Sequence, residues 1–131
     1  MAALVKDRNT PNRTPGSHVD PVASGAQIYS GALVVLNSSN YAEPATKATG
    51  LRVRGVAQHP CNNLGGPDAA GSVTTRVGSH LLANAGDITR AHIGSTAYIA
   101  DDQTVTADST GSSAAGRIED IEPAGVWIFI D

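Results

Sequence analysis

The chain has 131 residues and a formal net charge of −3, so it suits one domain, and its acidic balance argues against nucleic acid as a partner. Cys61 is its single cysteine, which excludes an intramolecular disulfide and favours a reducing compartment. Apolar runs such as residues 32–36 are far shorter than a membrane span, so we expect no membrane as a partner either.

Residues 1–24 differ in composition from the rest of the chain. They contain three prolines and three cations, and the cations are Lys6, Arg8 and Arg13. Proline removes amide donors and favours extended geometry in the residue before it. The segment also lacks the apolar core of a secretory signal. It predicts an extended arm, which is either a disordered terminus or a segment that orders on an acidic partner surface.

From residue 25 to residue 131 the chain alternates short apolar strands with glycine or polar turns. The first of these stretches, residues 27–36, is broken by Ser30-Gly31 in the way that a bulge or bend requires. Residues 59–70 are rich in Asn, Gly and Pro and predict a loop. The other predicted strands lie at residues 41–44, 51–57, 72–77, 79–84, 96–100, 104–107, 114–120 and 126–130.

Two local signals complete this pattern. Residues 87–93 predict one short helix, with Asp87 as its cap and Gly94 at its end. Residues 101–103, Asp-Asp-Gln, predict the turn of a hairpin between two flanking strands. Seven to nine short strands at a spacing of roughly ten residues predict a mainly β domain over residues 25–131, either a small sandwich or a small barrel.

The paired aspartates of that turn are the first candidate site. Asp101, Asp102 and Asp108 carry the oxygen ligands that a hard cation such as calcium prefers. Their spacing does not match an EF-hand loop, and aspartate is an ordinary turn residue because its side chain bonds nearby backbone amides. We therefore interpret them as turn residues.

The remaining reactive residues form no catalytic or metal-binding pattern. His59 and Cys61 lie two apart in the predicted loop, without a third ligand or an orienting group nearby in sequence. Gly65-Gly66 matches no nucleotide-binding motif. The acidic cluster of Glu119, Asp120 and Glu122 offers carboxylates for glycoside hydrolysis, but the few aromatic residues predict no sugar cleft. We expect no enzyme, no cofactor and no bound metal.

Five sequence stretches, in order, carry a family resemblance. They are SGAQIYSGALVVLNSSNYAEPA, GLRVRGVA, GSVTTRVG, AGDITRAHIGSTAYIADDQTVT and AGRIEDIEPAGVWIFI. Together they resemble the capsid-cement, or head-decoration, proteins of tailed bacteriophages over residues 25–131. His92 stands where that family more typically has an aspartate.

The resemblance implies a β-rich structural protein without enzymatic activity or cofactor. Such proteins are made in the host cytoplasm and sit on the outer surface of the virion head. The implied partners are the major capsid protein and two further copies of this chain, in a homotrimer at three-fold and quasi-three-fold positions. On this interpretation Lys6, Arg8 and Arg13 are the capsid-contact candidates. The alternatives are another virion component, such as a tail or fibre part, and a small hydrolase.

Overall fold

The computed structural model describes residues 2–12 and 16–131. Within these residues the chain forms twelve short β-strands and one 3-10 helix, Arg90–His92. The strands are β1 (Ser17–Pro21), β2 (Gln27–Ile28), β3 (Leu33–Leu36), β4 (Ala42–Pro44), β5 (Arg52–Ala57), β6 (Cys61–Asn62), β7 (Ser72–Arg76), β8 (Gly78–Asn84), β9 (Thr96–Ile99), β10 (Thr104–Thr106), β11 (Ala114–Glu122) and β12 (Gly125–Ile130). The mainly β prediction is confirmed.

The first seven strands form an open sheet with a small ribbon beside it. The sheet has the order β1-β7-β5-β3-β4 and all its pairs are antiparallel, whereas β2 and β6 pair only with each other. Leu33, Val34 and Val35 of β3 are fully buried. They are buried because β3 is central and both of its faces are covered, so its apolar run needs no alternation.

The last five strands close into a barrel with the order β10-β8-β12-β11-β9, in which β8 and β10 are parallel. Val126, Ile128 and Ile130 of β12 are buried. Trp127 and Phe129 alternate with them and are half-buried on the opposite face. The guanidinium of Arg117 lies 5.1 Å from the centroid of the Phe129 ring, which covers part of that face.

The protein has two apolar cores, and the larger one joins the sheet to the barrel. The larger core fills the barrel and includes Leu33, Val35 and Val56 from the sheet. The smaller core lies on the other side of the sheet, where Val34, Val73 and their neighbours pack beneath β2. Because β3 contributes alternate side chains to both cores, the sheet and the barrel are one packed body.

Three predicted boundaries differ from the structure. β1 lies within the segment assigned to the arm, because its backbone completes a ladder with β7. β6 lies within the predicted loop 59–70 and gains its strand geometry from pairing with β2. The predicted helix at residues 87–93 is a single 3-10 turn that begins after Thr89.

Candidate interaction surface at the N-terminal edge strand

The segment before β1 is exposed along its described length. Residues 2–12 are all exposed, including the apolar side chains of Leu4 and Val5. Lys6 and Arg8 form no ion pair with any other described residue. Arg13, the third predicted contact residue, lies outside the described part of the chain. The exposed segment is therefore shorter than predicted, because the structured body begins near residue 16.

β1 is an edge strand whose outer side has no partner strand over residues 17–20 within the described chain. The amide of Val77 donates to the carbonyl of Gly16 at 2.9 Å, and the amide of Val22 donates to the carbonyl of Gly71 at 2.9 Å. Since hydrogen-bonded pairs alternate along antiparallel strands, the amides of Ser17 and Val19 point away from β7. Such an edge is a template for another extended chain.

The open stretch of this edge is bounded at one end. Val22, directly after β1, forms an isolated parallel bridge with Ala42 of β4, and the Ala23 amide donates to the Ala42 carbonyl at 2.8 Å. Pro21 has no amide hydrogen to offer a further strand. An added strand therefore has about four residues of β1 to pair with, and the Val19 side chain, 67% exposed, lies in the middle of them.

A charged pair fixes the inner side of β1. The Arg54 guanidinium donates to both carboxylate oxygens of Asp20, at 2.8 and 3.1 Å. Arg54 is the extra residue of a bulge in β5, because Val53 and Gly55 face consecutive residues of β3 while Arg54 faces none. A bulge of this kind re-aims a side chain. Here it turns a cation toward β1, so the edge strand is tied to the sheet by its side chain as well as by its backbone.

His18 lies beside this pair on the same side of β1. Its Nδ1 is buried and finds no hydrogen-bond partner among the described residues. On β7 the Thr75 hydroxyl donates to the Arg54 carbonyl at 3.5 Å, and Thr75 is opposite His18 in the register. One end of this face of the sheet is therefore polar, and it adjoins the smaller apolar core at Val73, the register partner of Asp20.

The predicted hairpin turn is present, and two of the three aspartates considered as cation ligands, Asp101 and Asp108, bond nearby backbone amides. The Asp101 carboxylate accepts the amide of Gln103 at 2.9 Å, and the Asp108 carboxylate accepts the amide of Thr110 at 2.9 Å. The hydrogen bond from the Thr110 amide lowers the pKa of Asp108. Among residues 2–12 and 16–131 no group of three or more His, Cys, Asp or Glu side chains is arranged to hold a metal ion. The geometry agrees with the turn interpretation.

The other reactive residues of the sequence are separated. His59 accepts the amide of Thr74 at 3.0 Å through Nε2, whereas Cys61 lies in β6 and is half-buried. Glu119 accepts the Ser79 hydroxyl, and Asp120 pairs with Arg90 at 3.5 Å. Both carboxylates are engaged at the surface of the barrel, so the structure does not bring these groups together as one site.

Gly65-Gly66 lies in a loop that Asn63 organises. The buried Asn63 side chain donates to the carbonyls of Ala23 and Pro67, each at 2.9 Å. The glycines therefore lie in a tight turn, and the Asn63 side chain that stabilises this turn is bonded to backbone carbonyls.

The features that define the open edge of β1 were not predicted from the sequence. The stretch SHVDP places the apolar Val19 outward and the polar His18 and Asp20 inward, which is the reverse of the usual alternation. The bulge at Arg54 left one signal, the glycine break in LRVRGVA, but its partner Asp20 is 34 residues away. Comparisons with protein-family models, curated proteins and solved structures found no match to this chain.

Proposed function

We propose that this chain is a structural virion protein that binds the outer surface of a phage head and stabilises the major-capsid lattice, as a homotrimer at three-fold and quasi-three-fold positions. The observations that carry the proposal are the exposed segment 2–12 and the open edge of β1, which follows that segment in the chain and belongs to a well-packed β body. The sequence resemblance to head-decoration proteins supplies the identity of the partner.

The charge distribution supports a role for the arm in binding. Residues 1–16 hold three cations and one aspartate, so their formal charge is +2. Because the whole chain carries −3, residues 17–131 carry −5. A basic arm on an acidic body is attracted to an acidic partner surface, while the body itself is repelled by it. Lys6, Arg8 and Arg13 would then contact the capsid, and the body would be held at its outer surface.

The arm and the edge provide two ways to bind main chain. An extended arm that orders on a partner gains hydrogen bonds from its own backbone, and the edge of β1 gains them from a partner strand. Ordering a free segment costs conformational entropy, so each single contact is weak. Three copies in a trimer convert weak contacts into strong overall binding, because the second and third contacts form intramolecularly.

Deletion of residues 2–12 tests the proposal. This deletion leaves β1 and its ladder intact, so the truncated protein should keep the thermal stability of the full chain while its occupancy on heads falls at least tenfold. Occupancy is measured by mass spectrometry of purified heads incubated with saturating protein. The variant with Lys6, Arg8 and Arg13 all changed to serine is the matched control for charge, and it should bind with intermediate occupancy.

Three results contradict parts of the proposal. If the truncated protein decorates heads at full occupancy, the arm is not needed for binding. If micrographs of virions place the protein on the tail or on fibres, it does not bind the head and belongs to another virion component. Sedimentation equilibrium of the free protein measures its mass, and a mass of one chain at all concentrations argues against the trimer.

A further inference from the structure

A second surface lies at the junction of the sheet and the barrel. The turn between β2 and β3, residues 29–32, faces the turn between β9 and β10, and the two enclose an open groove of about 260 Å³. The groove is lined by Tyr29, Ser30, Gly31, Ala32, Asp102 and Gln103. Tyr29 is 62% exposed, whereas the other four aromatic side chains are half-buried.

The backbone of this groove is anchored from both halves of the molecule. The amide of Leu33 donates to the carbonyl of Asp102 at 2.7 Å, which joins the start of β3 to the hairpin turn. The carbonyl of Gln103 accepts the amide of Ala83 in β8 at 2.8 Å. Gly31 has φ +88, a conformation that favours glycine and that sets the sharp turn after Tyr29. The groove is therefore preformed.

The side chains that line this groove retain their hydrogen-bonding capacity. Those of Tyr29, Ser30, Asp102 and Gln103 make no hydrogen bond to any other residue in the described ranges. The neighbouring residue Asp101 differs in this respect, because its carboxylate accepts the backbone amide of Gln103 and stabilises the turn. Asp101 is thus a structural residue, whereas Asp102 is half-buried with both carboxylate oxygens available.

We propose that this groove binds one saccharide unit. The Tyr29 ring offers an apolar face for the C–H face of a sugar, and the Asp102 carboxylate accepts hydrogen bonds from neighbouring hydroxyls. Ser30 and Gln103 each donate and accept. Sugar hydroxyls also donate and accept hydrogen bonds, so they can pair with both the donors and the acceptors that line the groove. A guanidinium only donates, so it pairs with Asp102 and leaves the donors of the Gln103 side-chain amide to solvent. The inference is independent of head binding, because it needs no capsid.

Titration of the ¹⁵N-labelled full chain with single sugars tests the inference. Glucose, galactose, mannose and N-acetylglucosamine are added separately, up to about 100 mM, and amide shifts are followed by NMR. At least one of them should shift the amides of Gly31, Ala32 and Gln103, with a Kd on the order of a few millimolar, as expected for a ligand of this size.

The variants separate the groove from the rest of the surface. Tyr29→Ala should raise that Kd at least tenfold, whereas Tyr29→Phe keeps the ring face and should change it less than threefold. Asp102→Asn should also raise it, by less than Tyr29→Ala does. Leu64→Ala removes a side chain that is 59% exposed in a different loop, so it is the matched control and should leave the Kd unchanged.

Three results overturn the inference. The first is the absence of amide shifts with all four sugars at 100 mM. The second is a sugar Kd that is the same for Tyr29→Ala or Asp102→Asn as for the unchanged protein, when the NMR spectrum of the variant shows that it is folded. The third is a parallel titration with arginine amide that shifts the same amides while the sugars do not, which assigns the groove to a cationic side chain of a protein partner.

Discussion

The two halves of the molecule treat their strand edges in opposite ways. In the barrel, β8 to β12 each have two neighbours, so every strand is paired on both sides. In the sheet, β1 and β4 each have one neighbour, apart from the bridge between Val22 and Ala42. Closure removes edges, whereas an open sheet must protect or use them.

The sheet protects most of its edge and leaves a short part open. Both edge strands end on a proline, Pro21 in β1 and Pro44 in β4, and proline cannot donate to an added strand. The open part of β1 follows the exposed segment 2–12 in the chain. The barrel therefore has all its strands paired, whereas the sheet presents main chain that a partner strand can pair with.

Removal of a buried side chain from the barrel should have the largest effect. Ile128 is fully buried in the larger core, so Ile128→Ala removes contacts and leaves a cavity, and we expect it to lower the free energy of unfolding by about 2–5 kcal/mol. Urea denaturation followed by the fluorescence of Trp127, the one tryptophan, and by circular dichroism measures the loss. The two signals should change together because the larger core also contains residues of the sheet.

Val19→Ala is the control for this change. It removes an exposed side chain from the edge strand and should alter the free energy of unfolding by less than about 0.5 kcal/mol. An equal loss from Val19→Ala and Ile128→Ala contradicts the division between a stabilising barrel and a presenting edge.

Loss of the charged pair should have an intermediate effect. Arg54→Met leaves the Asp20 carboxylate without its bidentate partner, and we expect a loss of about 1–3 kcal/mol. The value lies below that of a fully buried pair because the Arg54 side chain is 28% exposed. Chemical denaturation measures the loss, and hydrogen exchange should show faster opening of the His18 and Asp20 amides.

The double variant Asp20→Asn, Arg54→Met distinguishes a charge effect from a packing effect. It removes both charges, so it should recover part of the stability that Arg54→Met loses. If the double variant is less stable than the unchanged protein by the sum of the two single losses, the two side chains act independently and do not hold β1 as a pair.

The local elements of this fold follow from short-range patterns in the sequence. Ser30-Gly31 predicts the bend between β2 and β3, and Gly78 predicts the bend between β7 and β8. The turn at Asp101 was predicted because its side chain bonds a neighbouring amide, which is a local interaction. These signals need no knowledge of distant residues.

The surfaces did not follow from such patterns, because they depend on long-range pairing. β1 is a strand only because β7, more than 50 residues later, supplies its ladder. The groove at Tyr29 exists because the Leu33 amide meets the Asp102 carbonyl, and no periodicity relates those two positions. The closure of five strands into a barrel likewise depends on β8 pairing with β10 and β12.

The smallest effect concerns the acid stability of the barrel. The Thr106 hydroxyl donates to the Asp87 carboxylate at 2.5 Å and is the main reason that the pKa of Asp87 is lowered, with a further bond from the Ala107 amide. A lowered folded-state pKa means that the carboxylate adds stability above its unfolded pKa, about 3.9, and that this is lost as the pH falls through the folded value. Thr106→Val should therefore reduce the Tm at pH 7 more than at pH 2.

Thr104→Val is the matched control, since Thr104 lies in the same strand and its hydroxyl bonds no carboxylate among the described residues. Its effect on the Tm should be the same at both pH values. The bond that the Thr106 hydroxyl accepts from the Asp108 amide is lost at every pH, so only the pH-dependent part reports on Asp87. A Tm difference for Thr106→Val that is equal at pH 2 and pH 7 would show that the bond from Thr106 to this exposed carboxylate adds no pH-dependent stability.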